Sequence, residues 1–149
     1  MNAKYIHERP RVLVITRCLI KNPDNKILFI QRPKDTSYCP MLWEFPGGKL
    51  DEGQDVGHCI EREVMEETGI TIKNIKKLTF TNDIFKEENK HYITCYVKTD
   101  YDSGKVQIME PNKCEKWDWF EWNKFPENLF IPLQNLLKEE VDPTKYEFK

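Results

Sequence analysis

Residues 48–70 read GKLDEGQDVGHCIEREVMEETGI, and this stretch decides the fold. Apolar residues recur at helical spacing from Asp55 to Thr68, which predicts an amphipathic helix. Gly69 follows in the position where a left-handed residue commonly ends a helix. The stretch therefore predicts a loop, a helix and a defined stop.

The acidic residues of this helix lie on an unexpected side. Its core-facing stripe is expected to consist of Val56, Ile60 and Val64. Glu63 and Glu67 share or border that stripe, and Glu66 lies on its flank. The residues expected on the opposite, solvent-facing side are His58, Glu61 and Met65. A solvated charge run is the alternative interpretation, but the helical phase argues against it.

Buried carboxylates need compensation by a cation or by hydrogen bonds, because burying like charges is very unfavourable. Hard oxygen ligands select Mg²⁺ or Mn²⁺ over zinc, and Mg²⁺ keeps open positions for water and substrate phosphates. The preceding glycines, Gly47 and Gly48, permit close backbone approach and can aim a carbonyl at a metal or an amide at a phosphate. Loop and helix together predict a divalent metal site that receives a polyphosphate.

The remaining pattern predicts a mixed sheet with two helices, an α/β (α+β) sandwich in a single domain over residues 1–149. A second helix is expected at Ile131 to Leu137, continuing into Lys138-Glu139-Glu140. The expected strands are Val12 to Ile20, Ile27 to Gln31, Lys76 to Phe85, His91 to Thr99 and Lys116 to Trp122, and Trp43 to Phe45 is a short apolar stretch stopped by Pro46-Gly47-Gly48.

Composition excludes several classes of protein. The 23 Lys+Arg against 25 Asp+Glu give a net charge of −2, which argues against a dedicated nucleic-acid surface. No apolar run reaches the length of a membrane span, and the N-terminus lacks the apolar core of a signal peptide. The five cysteines are widely spaced without a zinc pattern, so we expect reduced core thiols in a cytoplasmic protein.

At this point the sequence resembles the Nudix hydrolase family. Its motif is a glycine, five residues, glutamate, seven residues and then R-E-U-x-E-E-x-G-U, where U is aliphatic. Gly48 and the run Arg62 to Ile70 match it at the right spacing. The one departure is Gln54, which stands at the family's glutamate. The resemblance implies a Nudix α/β/α sandwich that covers nearly the whole chain.

The resemblance also implies roles for the helix residues. Glu63 and Glu67 would be the main Mg²⁺ ligands, with Mn²⁺ as a substitute. Glu66 would be a further ligand or a water-orienting acid, and the Gly47 carbonyl would complete the metal shell. Arg62 would brace the glutamates by ion pairing. Gln54 removes one charge, which leaves the number of metal ions open.

Residues outside the motif indicate the MutT-type branch of nucleoside triphosphate pyrophosphohydrolases. The stretch Trp43 to Lys49, WEFPGGK, looks like the start of the motif in those enzymes. The segments 86–94 and 110–119, followed by Phe125-Pro126 and Leu129-Phe130, resemble the animal and plant MutT-like enzymes that cleave (d)NTPs, including the one that acts on thiopurine nucleotides. Residues 70–90 lack the proline of ADP-ribose enzymes and the tyrosine of dinucleoside polyphosphate enzymes.

Substrate contacts follow from the same resemblance. On their charge, Arg32 and Lys49 are candidates for the phosphate tail, beside the Gly47 and Gly48 backbone, and a solvated surface cation is the alternative interpretation of each. Residues expected to line or edge a base pocket are Thr94, Asn128, Phe130 and Leu133. Core packing is the competing interpretation of Phe130 and Leu133, which are apolar and helix-spaced. The candidate general bases are Glu63, Glu66, Glu87 and Glu88.

Three functions remain open at this stage. The leading one is Mg²⁺-dependent conversion of an NTP or dNTP to the monophosphate and pyrophosphate, with nucleotide-pool sanitation as its role. The second is hydrolysis of an RNA 5′ end or another nucleoside diphosphate linked to X. The third is a non-catalytic nucleotide-binding module, suggested by Gln54. Dimer formation is left open.

Overall fold

The computed structural model describes residues 11–36 and 38–139. In these residues the chain forms seven strands and two helices, α1 at Val56–Thr68 and α2 at Ile131–Lys138. The strands are β1 Val12–Lys21, β2 Lys26–Gln31, β3 Trp43–Glu44, β4 Gly47–Lys49, β5 Thr71–Phe85, β6 Lys90–Ser103 and β7 Lys116–Glu121.

All seven strands belong to one mixed sheet. The order across it is β3-β2-β1-β6-β5, with β4 paired to β1 and β7 paired to β2. β1 runs parallel to β6 over the whole length of β1, whereas the other strand pairs are antiparallel. β5 and β6 are longer than the sequence pattern predicts, because their pairing continues across β-bulges to Thr71 and Ser103.

Helix α1 covers one face of the sheet with the phase that the sequence predicts. The Asp55 side chain caps its start by accepting the His58 N–H, and Gly69 ends it at φ 76°. Ile60 and Val64 are buried, whereas Met65 is 42% exposed. The core on this side also contains Cys18, Ile20, Leu28, Ile70, Val97 and Val106.

Helix α2 covers the opposite face. Leu133 and Leu136 pack there against Phe29, Phe45 and Tyr96. Phe130 stands just before the first turn, and Pro132 lies within that turn, where its missing N–H costs no hydrogen bond. The helix ends at Lys138, and the predicted continuation to Glu140 falls outside the described residues. A sheet between two helices confirms the predicted α/β/α sandwich.

Strand β1 sits in the middle of the sheet and supplies residues to both faces. Thr16 faces α1, where its hydroxyl lies 3.5 Å from the Cys59 sulfur. Arg17, the next residue, points to the α2 side because successive side chains alternate across a strand. Helix α1, with its acidic residues, and the cavity on the α2 side, both described below, therefore lie on the two faces of this one strand.

Two further observations concern the whole described chain. No helix within residues 11–36 and 38–139 is long and apolar enough to cross a bilayer. The five cysteines are free, with Cys18, Cys59 and Cys114 buried and the other two half-buried.

Candidate active site

The loop before α1 depends on its two glycines. β4 runs antiparallel to β1, which pairs Gly47 with Arg17 and Gly48 with Thr16. A Cβ on Gly47 would lie 2.0 Å from the Thr16 carbonyl oxygen, so only glycine fits. A Cβ on Gly48 would lie 2.4 Å from the carboxyl carbon of Glu63. The first glycine therefore allows strand pairing, and the second makes room for an acidic side chain.

Two acids of α1 lie against this loop. Glu67 is only 6% exposed, and its Oε1 accepts the Gly47 N–H at 2.9 Å. Burial raises the pKa of Glu67 to about 8, although Arg17 and the Gly47 amide pull it down. Burial also raises the pKa of Glu63, and Arg62 opposes that shift. A nearby cation would therefore stabilise the charged forms of both carboxyl groups.

Arg62 joins the acids on the outer side of the helix. Its Nη1 donates to Glu63 Oε1 at 3.0 Å and lies 3.2 Å from Glu66 Oε2. Its Nη2 donates to Gln54 Oε1 at 3.3 Å. Gln54 thus accepts a hydrogen bond from Arg62 without adding a charge. Glu66 is the most exposed of the three helix acids, so it lies at the rim of the site.

An acidic cavity of about 350 Å³ opens beside the glycine loop. Its acids are Glu44, Glu63 and Glu67, and the cations around it are Arg17, Arg32, Lys49 and Lys113. Glu44 is buried and lies 3.4 Å from the Arg17 guanidinium and 3.8 Å from that of Arg32. The cavity is therefore lined by carboxylates together with guanidinium and ammonium groups.

The donors of this cavity fit a hard divalent cation. Glu63 and Glu67 offer only oxygen, and Glu44 Oε2 is buried without a hydrogen bond from the described residues. Glu67, whose pKa is near 8, would release its proton to a metal ion. In residues 11–36 and 38–139 no three His, Cys, Asp or Glu side chains form a ready cluster, so water and ligand oxygens must complete the shell.

A second cavity of about 230 Å³ adjoins the first on the α2 side of the sheet. Tyr38 and Phe130 form its aromatic wall at a ring separation of 6.0 Å, and the Arg32 guanidinium lies 5.2 Å and 4.9 Å from the two rings. Its remaining lining is Ile15, Arg17, Lys90, Tyr92, Thr94 and Pro132. Arg17 and Arg32 line both cavities, so the two form one cleft.

A buried hydrogen-bond network supports the floor of the aromatic cavity. Asp83 is fully buried, and its Oδ2 accepts the hydroxyls of Thr81 at 2.9 Å and Thr94 at 2.6 Å. Its Oδ1 accepts the Asn135 side-chain amide at 2.8 Å. These three bonds tie β5, β6 and α2 together under the cavity.

Comparison with known proteins assigns the family. The model of the NUDIX domain matches residues 12–140 of the chain. The chain belongs to the NUDIX family. The NUDIX domain thus includes both cavities and every strand and helix described above.

Solved structures and curated proteins agree with this assignment. A MutT NUDIX hydrolase from Burkholderia pseudomallei superimposes with a TM-score of 0.75 at 26% identity, covering 85% of this chain and 98% of that one. Nudix hydrolase 2 of Arabidopsis thaliana is 26% identical over 81% of this chain and 43% of its own length. An 8-oxo-dGTP diphosphatase of Buchnera aphidicola is 35% identical over 42% of this chain and 48% of its own length. The chain spans about half the length of these two curated relatives.

Most of the residues singled out in the sequence lie along the cleft of this NUDIX domain. Lys49 lines the acidic cavity, and Thr94 and Phe130 line the aromatic one. Leu133 lies instead in the core on the α2 side. Asn128 is exposed, and its backbone carbonyl accepts the N–H of Trp43. The turn at 86–89, with its two candidate bases, is exposed at the β5–β6 hairpin.

The structure adds residues that the sequence reasoning missed. Arg17 is the main one, and its signal was present as a cation in the middle of the apolar run Val12 to Ile20. No sequence pattern marks Tyr38 as a site residue, because it lies in a loop without periodicity. Glu44 precedes the glycine loop within the quoted WEFPGGK stretch but was given no role.

Proposed function

We propose that this NUDIX domain hydrolyses nucleoside or deoxynucleoside triphosphates to the monophosphate and pyrophosphate, with Mg²⁺ as its cofactor and Mn²⁺ as a substitute. The observation that carries the proposal is the shared cleft, aromatic at one end and acidic at the other, with Arg17 and Arg32 at the junction. A base matches the aromatic end, and a metal-bound polyphosphate matches the acidic end. The Buchnera relative named 8-oxo-dGTP diphosphatase supports this substrate class.

The residues of the acidic cavity have separable roles in this reaction. Glu63 and Glu67 would hold the divalent ion, which neutralises the phosphates and lowers the pKa of a bound water. Arg62 holds Glu63 and Glu66 in place through its ion pairs. Lys49 and Lys113, both at the cavity, add positive charge toward the phosphate chain.

Hydrolysis forms a bond between the water oxygen and phosphorus and breaks the bridging P–O bond. A carboxylate takes the proton from the water, and the phosphate group on the other side of the broken bond leaves with the bridging oxygen. The candidate bases on α1 are Glu63, which lines the cavity, and the more exposed Glu66. Glu87 and Glu88 lie in the hairpin turn beside Lys90, which lines the aromatic cavity, and neither of them lines the acidic cavity, so we favour the helix acids.

A substrate panel tests the proposal. The purified protein is incubated with Mg²⁺ and with canonical and oxidised (d)NTPs, NDP-sugars, ADP-ribose or 5′-triphosphorylated RNA, and the products are identified by chromatography. We expect monophosphate and pyrophosphate from at least one (d)NTP. Turnover of the RNA alone would replace the proposed substrate class, and no turnover of any compound would favour a binding module.

A matched pair of helix variants tests the metal ligands. Glu67→Gln removes the buried acid that touches the glycine loop, and we expect activity to fall by about 100-fold or more. Glu61→Gln makes the same chemical change on the exposed side of α1 and should leave activity within about twofold. Equal activity of the two variants would contradict the metal assignment.

The free thiols suit a reducing compartment, so we also propose a cytoplasmic location and a single domain over residues 1–149.

A further inference from the structure

Arg17 is a cation held in the interior of the fold. Its side chain is 13% exposed, and its Nη1 donates to the carbonyl oxygens of Phe45 at 3.4 Å and Gly47 at 3.2 Å. Its Nη2 lies 3.4 Å from Glu44 Oε2. Burying a guanidinium is costly even when it is paired, so its presence in an apolar strand requires an explanation.

The position of Arg17 relates it to the cleft. Arg17 and Arg32 are the residues that the linings of the aromatic and acidic cavities have in common. A linear ligand with a ring in the first cavity and a metal-bound tail in the second would pass these two arginines. In a nucleotide, the group at that point is the phosphate attached to the nucleoside.

The two arginines differ in which of their N–H groups remain available to bind a ligand. Arg32 directs Nε and Nη2 to the backbone carbonyls of Cys39 and Tyr38, so it mainly holds the loop that carries the aromatic wall. Arg17 donates Nη1 to the two carbonyls, and its Nη2 forms an ion pair with Glu44. Neither its Nε–H nor its Nη2–H groups form a hydrogen bond with residues 11–36 and 38–139, and Nε together with Nη2 is the edge that binds phosphate oxygens in bidentate fashion.

We propose that Arg17 binds the phosphate attached to the nucleoside, through Nε and Nη2, at the junction of the two cavities. This inference rests on the proposed nucleotide substrate. It makes Arg17 the residue that distinguishes a nucleotide from a nucleoside, whereas the metal-bound end of the cleft recognises the length of the phosphate chain.

Binding without metal tests Arg17 separately from catalysis. The intrinsic tryptophan fluorescence of the protein is titrated in EDTA with a nucleoside, its monophosphate and its triphosphate. We expect the monophosphate to bind at least tenfold more tightly than the nucleoside in the wild-type protein, because one charged, bidentate contact is added. Equal affinity for these two ligands in the wild type overturns the inference.

Four variants locate the contact. Arg17→Lys keeps the charge but loses the bidentate edge. Arg17→Met combined with Glu44→Gln removes the cation without leaving a buried carboxylate unpaired, and Glu44→Gln alone is its control. Lys113→Ala removes a cation that lines only the acidic cavity.

The expected pattern distinguishes phosphate binding from a structural role. The double variant should lose about tenfold or more in monophosphate affinity relative to Glu44→Gln, Arg17→Lys should lose less, and nucleoside affinity should not change. Lys113→Ala should weaken the triphosphate only. If the double variant fails to fold, as judged by circular dichroism, Arg17→Lys carries the test. Unchanged monophosphate affinity in a folded Arg17 variant, or an equal loss for nucleoside and monophosphate, overturns the inference.

The two proposals fail in distinguishable ways. A wild-type protein that binds monophosphate through Arg17 but hydrolyses no triphosphate contradicts the proposed reaction and retains the Arg17 contact. A protein that hydrolyses triphosphates with unchanged KM in the Arg17→Lys variant and unchanged monophosphate binding contradicts the Arg17 contact alone.

Discussion

Replacing Gly48 with alanine tests the placement of Glu63 with a single methyl group. The added Cβ would lie 2.4 Å from Cδ of Glu63 and 2.5 Å and 2.7 Å from its two oxygens, whereas ordinary contacts begin at 3.4 Å. The carboxylate must therefore move by about 1 Å. A misplacement of this size in a catalytic site costs about 100-fold in rate, and we expect that loss in kcat/KM.

The stability of the Gly48→Ala variant should change little, because Gly48 has no left-handed backbone angle and the clash falls on a partly exposed side chain. Gly57→Ala is the matched control, since it adds the same methyl group near the start of α1, where the closest atom is the Asp55 carboxylate at 3.0 Å. Activity is measured by phosphate release in a coupled assay, and stability by thermal melting. A Gly48→Ala protein with wild-type kcat/KM would refute the idea that the Glu63 carboxylate works from its position against the loop.

Three further predictions concern buried titratable groups. Asp83→Ala leaves three side-chain donors unsatisfied, so we expect a loss of about 3 kcal/mol or more and a melting temperature roughly 10 °C lower; an unchanged melting curve would contradict this. Burial raises the pKa of Glu67 from its ordinary value of 4.5 to about 8, so Glu67 stays protonated to a higher pH in the folded state than in the unfolded state. The urea midpoint of metal-free protein should therefore fall as pH rises from about 5 to 8, and by less in Glu67→Gln; equal slopes would count against it. Burial raises the pKa of Cys18 to about 12, so iodoacetamide at pH 8 should label Cys18 only in urea, as read by mass spectrometry.

Helix α1 could be predicted closely because its determinants are local. The cap at Asp55, the apolar period and the stop at Gly69 all lie within the helix or next to it. The same periodicity placed Glu67 on the buried face, where the structure has it. No long-range contact was needed for that inference, so the phase of the helix was enough.

The junction of the cleft could not be predicted, because it depends on strand register. Arg17 meets Gly47 only through the pairing of β1 with β4, and it reaches the aromatic cavity only because odd positions of β1 face α2. Tyr38 joins the cavity because Arg32 binds its carbonyl oxygen from outside the loop. Neither arrangement has a signature within a short window of sequence.

Phe130 and Leu133 show why helical spacing alone did not separate cavity from core. The two residues are three apart, and the sequence allowed either role for both. Phe130 precedes the first turn in an extended conformation, so its ring turns to Tyr38 and Phe85. Leu133 lies one turn further along and packs inward. The start of the helix, at Ile131, decides between them.

The parallel pairing of β1 with β6 has a consequence for the order in which the molecule assembles. Contacts of β1 with the glycine loop, such as Thr16 with Gly48, join residues 32 positions apart, whereas contacts with β6, such as Leu19 with Thr99, join residues 80 positions apart. Closing the longer loop costs more entropy. During synthesis the glycine loop and the acids of α1 can therefore assemble on β1 first, whereas Lys113 of the acidic cavity and Phe130 of the aromatic cavity are added only after β6.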